Sequence, residues 1–178
     1  MHTQQKTYAG IGSRQTPPDI LQIMTLCASK LESLGFILRS GGANGADAAF
    51  ERGVQCFSMK QIFLPWAKFN SNESQLFEPP LKAYEVAKKY HPKFKQLSRS
   101  AKSLMARNVQ QIYGAQLIDP VDFVICYTLD GCEHDSSRTR FTGGTGLAIS
   151  IASLNGIPVF NLANQTSLDF IRQFILSS

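Results

Sequence analysis

Three short glycine-rich segments hold the residues of this chain whose types and spacing are best suited to bind a ligand. They are Gly10-Ile11-Gly12-Ser13-Arg14, Ser40-Gly41-Gly42-Ala43-Asn44-Gly45-Ala46-Asp47 and Thr142-Gly143-Gly144-Thr145-Gly146. Glycines let the backbone N–H groups of a turn face an anion, and the start of a helix adds partial positive charge. Three such turns in one short chain therefore predict a single phosphate-binding site.

Polar side chains in these segments add donors for the same ligand. Ser13 and Arg14 offer a hydroxyl and a guanidinium group, and arginine can bind phosphate bidentately. Asp47 lies in the first turn of a predicted helix, where a carboxylate either stabilises the helix or contacts the ligand. The residues expected at the phosphate are Gly10, Gly12, Ser13, Arg14, Ser40, Gly41, Gly42, Ala43, Asp47, Thr142, Gly143, Gly144, Thr145 and Gly146.

The same residues argue against a cofactor. Gly10 and Gly12 begin a dinucleotide-binding fingerprint, but its third glycine is missing. The second predicted strand ends in Arg39 rather than in an acid that would bind a ribose hydroxyl. No nicotinamide or other cofactor is therefore expected.

Catalytic and metal sites are also not assigned. Asp47 and Glu51 lie one helical turn apart and could form an acid/base pair, but such spacing is common on ordinary helices. The group Cys132, His134 and Asp135 lies on one loop, and no second ligand pair has suitable spacing. No metal site is therefore predicted.

Positive charge is concentrated in one segment of a chain whose formal net charge is +5. Eight lysines and arginines lie between Leu81 and Arg107, against one acid, Glu85. This segment is either a solvated helical face or a surface that contacts a polyanion. The candidate basic residues are Lys88, Lys89, Lys93, Lys95, Arg99 and Lys102.

Alternating strand and helix patterns must position these residues. Strands are predicted at 7–11, 36–39, 61–64, 122–128 and 158–162, and helices at 17–34, 46–54, 81–90, 98–113, 143–154 and 167–176. Residues 66–80 lack a period and are predicted to form a loop. The order predicts an α/β fold that is Rossmann-like and doubly wound, with a mostly parallel sheet and helices on both faces. Ligands of such sheets bind at the carboxyl ends of the strands, where all three glycine-rich segments fall.

Length and composition place these elements in one domain over residues 1–178, with 67–108 as a loop and basic helical insert. No apolar run is long enough to cross a membrane, and the residues before Thr7 lack the apolar core of a signal peptide. The four cysteines form no CxxC pair. A cytoplasmic protein without a membrane partner is expected.

The ordered motifs resemble the SLOG superfamily of Rossmann-like proteins, and within it the DprA (Smf) family of DNA-processing proteins, in a small phage-type version. The resemblance covers most of the chain and is weakest from Trp66 to Ser103. It implies a fold that binds single-stranded DNA, and it adds Arg107 and Asn108 to the site. The matching motifs are Gly12-Ser13-Arg14, Ser40 to Asp47, Arg107-Asn108, Gly144-Thr145 and Gly156 to Phe160.

Related families leave other functions open. A chain of this length has no room for the extra terminal domains of full-length relatives, so a recombinase partner is doubtful. The similar phosphoribohydrolases carry a catalytic glutamate where this chain has Ser150, which argues against an enzyme. The leading prediction is a nucleotide-phosphate-binding protein that binds single-stranded DNA. The alternatives are a protein that binds or sequesters a cyclic or ADP-ribose-type nucleotide, and an N-glycoside hydrolase; a homo-oligomer is compatible with each.

Overall fold

Six parallel strands form one sheet in the computed structural model, which describes residues 5–177. The strands are β1 (Thr7–Gly10), β2 (Ile37–Ser40), β3 (Lys60–Leu64), β4 (Leu76–Phe77), β5 (Phe123–Cys126) and β6 (Val159–Asn161). Their order is β4-β3-β2-β1-β5-β6, and each neighbouring pair is parallel. The order changes direction between β1 and β5, which is where sheets of this class bind ligands.

Six helices cover the two faces of the sheet. They are α1 (Pro18–Ser33), α2 (Ala46–Gly53), α3 (Leu81–Tyr90), α4 (Arg99–Tyr113), α5 (Gly146–Leu154) and α6 (Gln165–Leu176). One apolar core joins α1, α2 and α6 to the sheet, and a second core joins α3, α4 and α5 to it. The predicted α/β architecture, with helices on both faces, is thereby confirmed.

The buried stripe of α1 shows why the sequence folds this way. Ile20, Met24, Cys27 and Leu31 recur at steps of three and four residues, and all four are buried in the first core. Burial of such a stripe supplies most of the stability of a helix inside a protein. Among the described helices, none combines the length and the apolar character needed to cross a membrane.

The predicted loop at 66–80 contains a strand that sequence patterns miss. Leu76 and Phe77 form β4 and pair with Phe63 and Leu64 of β3. The Ser74 hydroxyl donates a hydrogen bond to the Ile62 carbonyl oxygen at 2.6 Å, which brings the chain alongside β3. Two residues are too few to show a period of two, so this part of the loop prediction is wrong for a clear physical reason.

Two helix starts also differ from the prediction. The helix expected from residue 17 begins at Pro18, with Pro17 at the cap position, and the Thr16 hydroxyl donates to the Ser13 carbonyl oxygen at 2.7 Å. The helix expected from residue 143 begins with a 3-10 turn at Gly143–Thr145, and α5 follows directly. Residues 1–4 and Ser178 lie outside the described range, and so does most of the segment where no signal peptide is expected.

Candidate functional site

A cleft of about 350 Å³ lies at the carboxyl edge of the sheet, beside β1. Four parts of the chain line it: the turn after β1, the loop after β2, one face of α4 and the turn before α5. We call it the glycine cleft. Its lining residues are Ile11, Gly12, Ser13, Arg14, Gln15, Ala43, Asp47, Leu104, Met105, Arg107, Asn108, Gln111, Phe141, Thr142, Gly143, Gly144 and Thr145.

The first two glycine-rich segments lock together at this cleft. Gly12 has a φ of +152°, and an added Cβ would lie 2.8 Å from the Tyr127 carbonyl oxygen. The Ser13 N–H donates to that same oxygen at 2.9 Å, and the Ser13 carbonyl accepts from the Ala46 N–H at 3.2 Å. Arg14 follows directly and is exposed. This ordered backbone therefore presents the exposed Arg14 guanidinium group at the rim of the cleft.

Five of the residues predicted at the phosphate do not line the cleft. Gly10 packs against Phe50, since an added Cβ would be 2.5 Å from the ring. The buried Ser40 hydroxyl donates to the Gly10 carbonyl oxygen at 2.6 Å. Gly41 makes room for Arg107, because an added Cβ would lie 1.2 Å from its Nη1. The other two residues that do not line the cleft are Gly42 and Gly146.

A buried ion pair joins the second segment to α4. Arg107 Nη1 lies 3.2 Å from Asp47 Oδ2, and the two side chains are only 7% and 4% exposed. Burial raises the pKa of Asp47, although the Arg107 charge and the Ala43 N–H oppose this effect. Burial also lowers the pKa of Arg107, which the Asp47 charge opposes. Burial and the ion pair therefore act on the pKa of each group in opposite directions.

Arg107 retains unused capacity to bind an anion. Its Nε is buried and has no hydrogen-bond partner among the described residues. Arg14 lines the same cleft, and its charge lowers the pKa of Arg107 further. An anion bound between the two guanidinium groups would offset their like charges.

Two amide side chains of α4 hold the site together. In the amide orientation that satisfies all three neighbours, Gln111 accepts hydrogen bonds from Arg107 Nη1 at 3.2 Å and from the Gly41 N–H at 3.0 Å, and it donates to Asn108 Oδ1 at 3.1 Å. Asn108 in turn donates from Nδ2 to the Gly144 carbonyl oxygen at 2.8 Å. Sequence analysis missed Gln111, but its position one helical turn after Arg107 is a signal that could have identified it.

The third glycine-rich segment presents backbone donors to the cleft. Gly143 has a φ of +62°, and neither Thr142 nor Thr145 caps the following helical turn with its side chain. The first N–H groups of a helix have no partner within the helix. The turn from Gly143 to Thr145 therefore offers several N–H groups at one wall of the cleft.

The hydroxyl of Thr142, a residue expected at the phosphate, makes a hydrogen bond within the protein. It donates to Asp130 Oδ2, which also accepts a hydrogen bond from the Thr139 hydroxyl. Burial alone would raise the pKa of Asp130, but these hydrogen bonds, with that of the Thr128 hydroxyl, lower it to about 2. Asp130 is therefore ionised at neutral pH and organises the loop that leads into the third segment.

The side chains that could contribute to catalysis make hydrogen bonds or an ion pair within the protein. Glu51 lies outside the cleft and accepts a hydrogen bond from Asn72 Nδ2 at 3.0 Å. Asp47 is held by Arg107. Ser150 is fully buried and is bound by Arg138 Nη1 at 2.9 Å. Within residues 5–177 no group of three His, Cys, Asp or Glu side chains could hold a metal ion.

Three residues of the basic segment line two different grooves. Arg99 and Lys102 line a groove with Trp66 and Tyr84, while Lys89 lines a different groove with residues of the loop before α5. Both grooves lie outside the glycine cleft. The candidate residues that line neither groove are exposed: Lys88, Lys93 and Lys95.

Comparisons with known proteins give a structural similarity at low sequence identity. No protein-family model matches the chain, and no curated protein matches its sequence. Among solved structures, the chain is similar to DNA processing protein A from Helicobacter pylori, with a TM-score of 0.42 and 16% sequence identity. The alignment covers 97% of this chain and 81% of that one. That structure describes a single-stranded DNA binding mode of the Helicobacter protein.

Proposed function

We propose that the glycine cleft binds a nucleotide through its phosphate, and that this nucleotide is part of a single-stranded nucleic acid. The observation that carries the proposal is the pair of guanidinium groups at the cleft. Arg14 is exposed at its rim, and the buried Arg107 also lines it, with no partner for its Nε within residues 5–177. Membership of the SLOG superfamily, in a small phage-type version, is part of the same proposal.

The charge balance of the cleft supports an anionic ligand. Among its described lining residues, Asp47 alone carries a carboxylate, and Arg107 compensates it. The charge of Arg14 is then left over in a cleft that the turn at Gly143–Thr145 also lines. A phosphate accepts hydrogen bonds from both kinds of donor.

The other walls of the cleft suit the rest of a nucleotide. Leu104, Met105 and Phe141 supply apolar surface, and Gln15 and Asn108 supply amide groups that can bind base or sugar edges. A volume of about 350 Å³ falls within the range of small-molecule sites, about 300–1,000 Å³. The proposed role of the cleft is therefore to hold one nucleotide of the strand.

Hydrolysis of the nucleotide is not part of the proposal. General acid or base catalysis needs a carboxylate that can reach the reacting bond. Asp47 is held in its ion pair, and Ser150 stands where the phosphoribohydrolases have their glutamate. Sequestration of a small nucleotide remains the second candidate, because the cleft alone has the size of such a site.

The proposal is tested by replacing Arg14 with alanine and measuring the binding of dTMP and of hexathymidylate, (dT)6. Loss of a charge-assisted hydrogen bond costs about 1.5–3 kcal/mol, so both affinities should fall roughly 10- to 150-fold. Arg172→Ala is the matched control, because Arg172 lies on α6 outside the glycine cleft. Unchanged affinities in a folded Arg14→Ala variant would contradict the proposal. Tight binding of a cyclic or ADP-ribose-type nucleotide without any binding of (dT)6 would favour the second candidate.

A further inference from the structure

A second cavity of about 800 Å³ opens along the first turns of α4. Trp66 and Tyr84 line it together with Arg99 and Lys102, and serine hydroxyls line the remaining wall on α4. We call it the Trp66 groove. Neither the glycine-rich segments nor the buried ion pair contributes to it.

The Trp66 groove adjoins the glycine cleft. On α4, Ser103 lines the groove and the next residue, Leu104, lines the cleft. The Trp66 ring meets the Phe69 ring edge-on, with 5.2 Å between their centroids. The Arg107 guanidinium carbon lies 5.9 Å from the centroid of the same Phe69 ring. The cleft and the groove therefore lie along the same helix, and one ligand chain long enough to follow α4 could reach both.

The side chains of the groove match the chemistry of a nucleotide. The Trp66 side chain is 39% exposed and offers an aromatic face. Arg99 and Lys102 provide positive charge, and among the described lining residues Glu78 alone is acidic. Proteins that bind single strands combine such cations for the backbone with aromatic rings on which the bases stack.

We propose that the Trp66 groove binds a second nucleotide of the same strand, with its base stacked on Trp66 and its phosphate beside Arg99 and Lys102. This inference rests on the proposed function of the glycine cleft and makes the ligand an oligonucleotide rather than a mononucleotide.

The length of α4 sets the length of the ligand. Arg99 and Asn108 are nine residues apart, which corresponds to about 13–14 Å along a helix at about 1.5 Å per residue. A strand that places one nucleotide in each site must span this distance. Affinity for thymidylate oligomers should therefore rise with length until one strand reaches both sites, and then level off.

The first test uses the only tryptophan of the chain, Trp66, as a built-in probe. Binding of (dT)6 should change the tryptophan emission because a base stacks on the indole ring, whereas dTMP in the glycine cleft should leave it unchanged. Binding of (dT)6, established by anisotropy, without a change in tryptophan emission would overturn the inference.

The second test removes the groove contacts one kind at a time. Trp66→Ala should lower the ratio of (dT)6 affinity to dTMP affinity roughly 5- to 150-fold, as expected for loss of one stacked base. Trp66→Phe keeps an aromatic ring and should retain part of this ratio, which separates stacking from a general disturbance of the loop. An unchanged ratio in Trp66→Ala would overturn the inference.

The third test concerns the two cations. The variant Arg99→Gln/Lys102→Gln should make the slope of log affinity for (dT)6 against log salt shallower by about 1.4, since each phosphate contact on a single strand contributes about 0.7. The control, Arg52→Gln/Lys30→Gln, removes the same charge from α1 and α2 on the other face of the sheet. Equal effects of the two variants would overturn the inference, because charge alone would then explain binding.

Failure of this inference is distinguishable from failure of the proposed function. Equal affinities for dTMP and (dT)6, both lost in Arg14→Ala, would leave the glycine cleft intact as a site and exclude the groove. No binding of either ligand would overturn both. A higher affinity for (dT)6 than for dTMP, lost in Trp66→Ala, supports both.

Discussion

Replacing Arg107 by glutamine leaves the Asp47 carboxylate buried without its cation. In the parent protein the two groups are 3.2 Å apart and both side chains are more than nine-tenths buried. Removal of one partner from such a pair costs about 3–5 kcal/mol, because the remaining charge is neither solvated nor paired. Most domains are stable by about 5–15 kcal/mol, so this single change should remove a large part of the stability.

The loss should depend on pH in a defined direction. Burial already raises the pKa of Asp47, and Arg107 is the main group opposing this rise, so the pKa should rise further in Arg107→Gln. A carboxyl group with a higher pKa in the folded state binds more protons there, and stability then falls as the pH rises above about 4. The variant should therefore be least stable near neutral pH and recover part of its stability toward pH 5.

Urea denaturation of the parent, Arg107→Gln and Arg107→Gln/Asp47→Asn at pH 5 and pH 8 measures both effects. The double variant replaces the charges by two amides and should recover most of the loss at pH 8, with little dependence on pH. The reasoning is refuted if Arg107→Gln loses the same stability at both pH values, or if the double variant is no more stable than the single one.

Two further predictions concern the turns around the cleft. Asp130→Asn should cost about 1 kcal/mol, because the carboxylate is partly exposed and its hydrogen bonds are screened by solvent. The pKa of Asp130 is lowered to about 2, so the difference in unfolding free energy between variant and parent should be constant above about pH 4 and disappear as the pH falls toward 2. Thermal unfolding of both proteins across this pH range measures the difference. A difference that grows on acidification would contradict the prediction. Gly41→Ala should displace Arg107 and weaken both stability and dTMP binding, as followed by calorimetry. Gly144→Ala, with 3.6 Å between the added Cβ and Met105 Cε, should keep its stability, and an equal loss in the two variants would argue against the steric explanation.

The architecture follows from patterns that are local in the sequence. The apolar stripe of α1 and the wholly apolar β5 predict their elements correctly, and the alternation of elements gives the parallel sheet. β4 escapes prediction because its order comes from pairing with β3, a contact between segments that no periodicity records. Local patterns therefore predict well what local interactions determine.

Local sequence patterns predict only part of the candidate site. The Gly12-Ser13-Arg14 turn lines the cleft as expected, but the contact between Asp47 and Arg107 joins residues sixty positions apart. Glycine has several uses, and sequence alone does not separate Gly41, which makes room for a side chain, from Gly143, which lines the cleft. The division of the basic residues between two grooves depends on how α3 and α4 pack. The number of charges in a sequence segment gives no information about that packing.

The Asp47–Arg107 pair also has a mechanical consequence. Asp47 belongs to α2 on one face of the sheet, and Arg107 belongs to α4 on the other face. Their ion pair therefore links the two helical layers directly at the edge of the sheet. A ligand held by Arg14 and Arg107 would tighten this link, since Arg14 follows the strand that lies between the layers. Ligand binding in the cleft would then reduce local opening in both helical layers. The rates of amide hydrogen exchange in α2 and in α4 would both fall when the ligand binds.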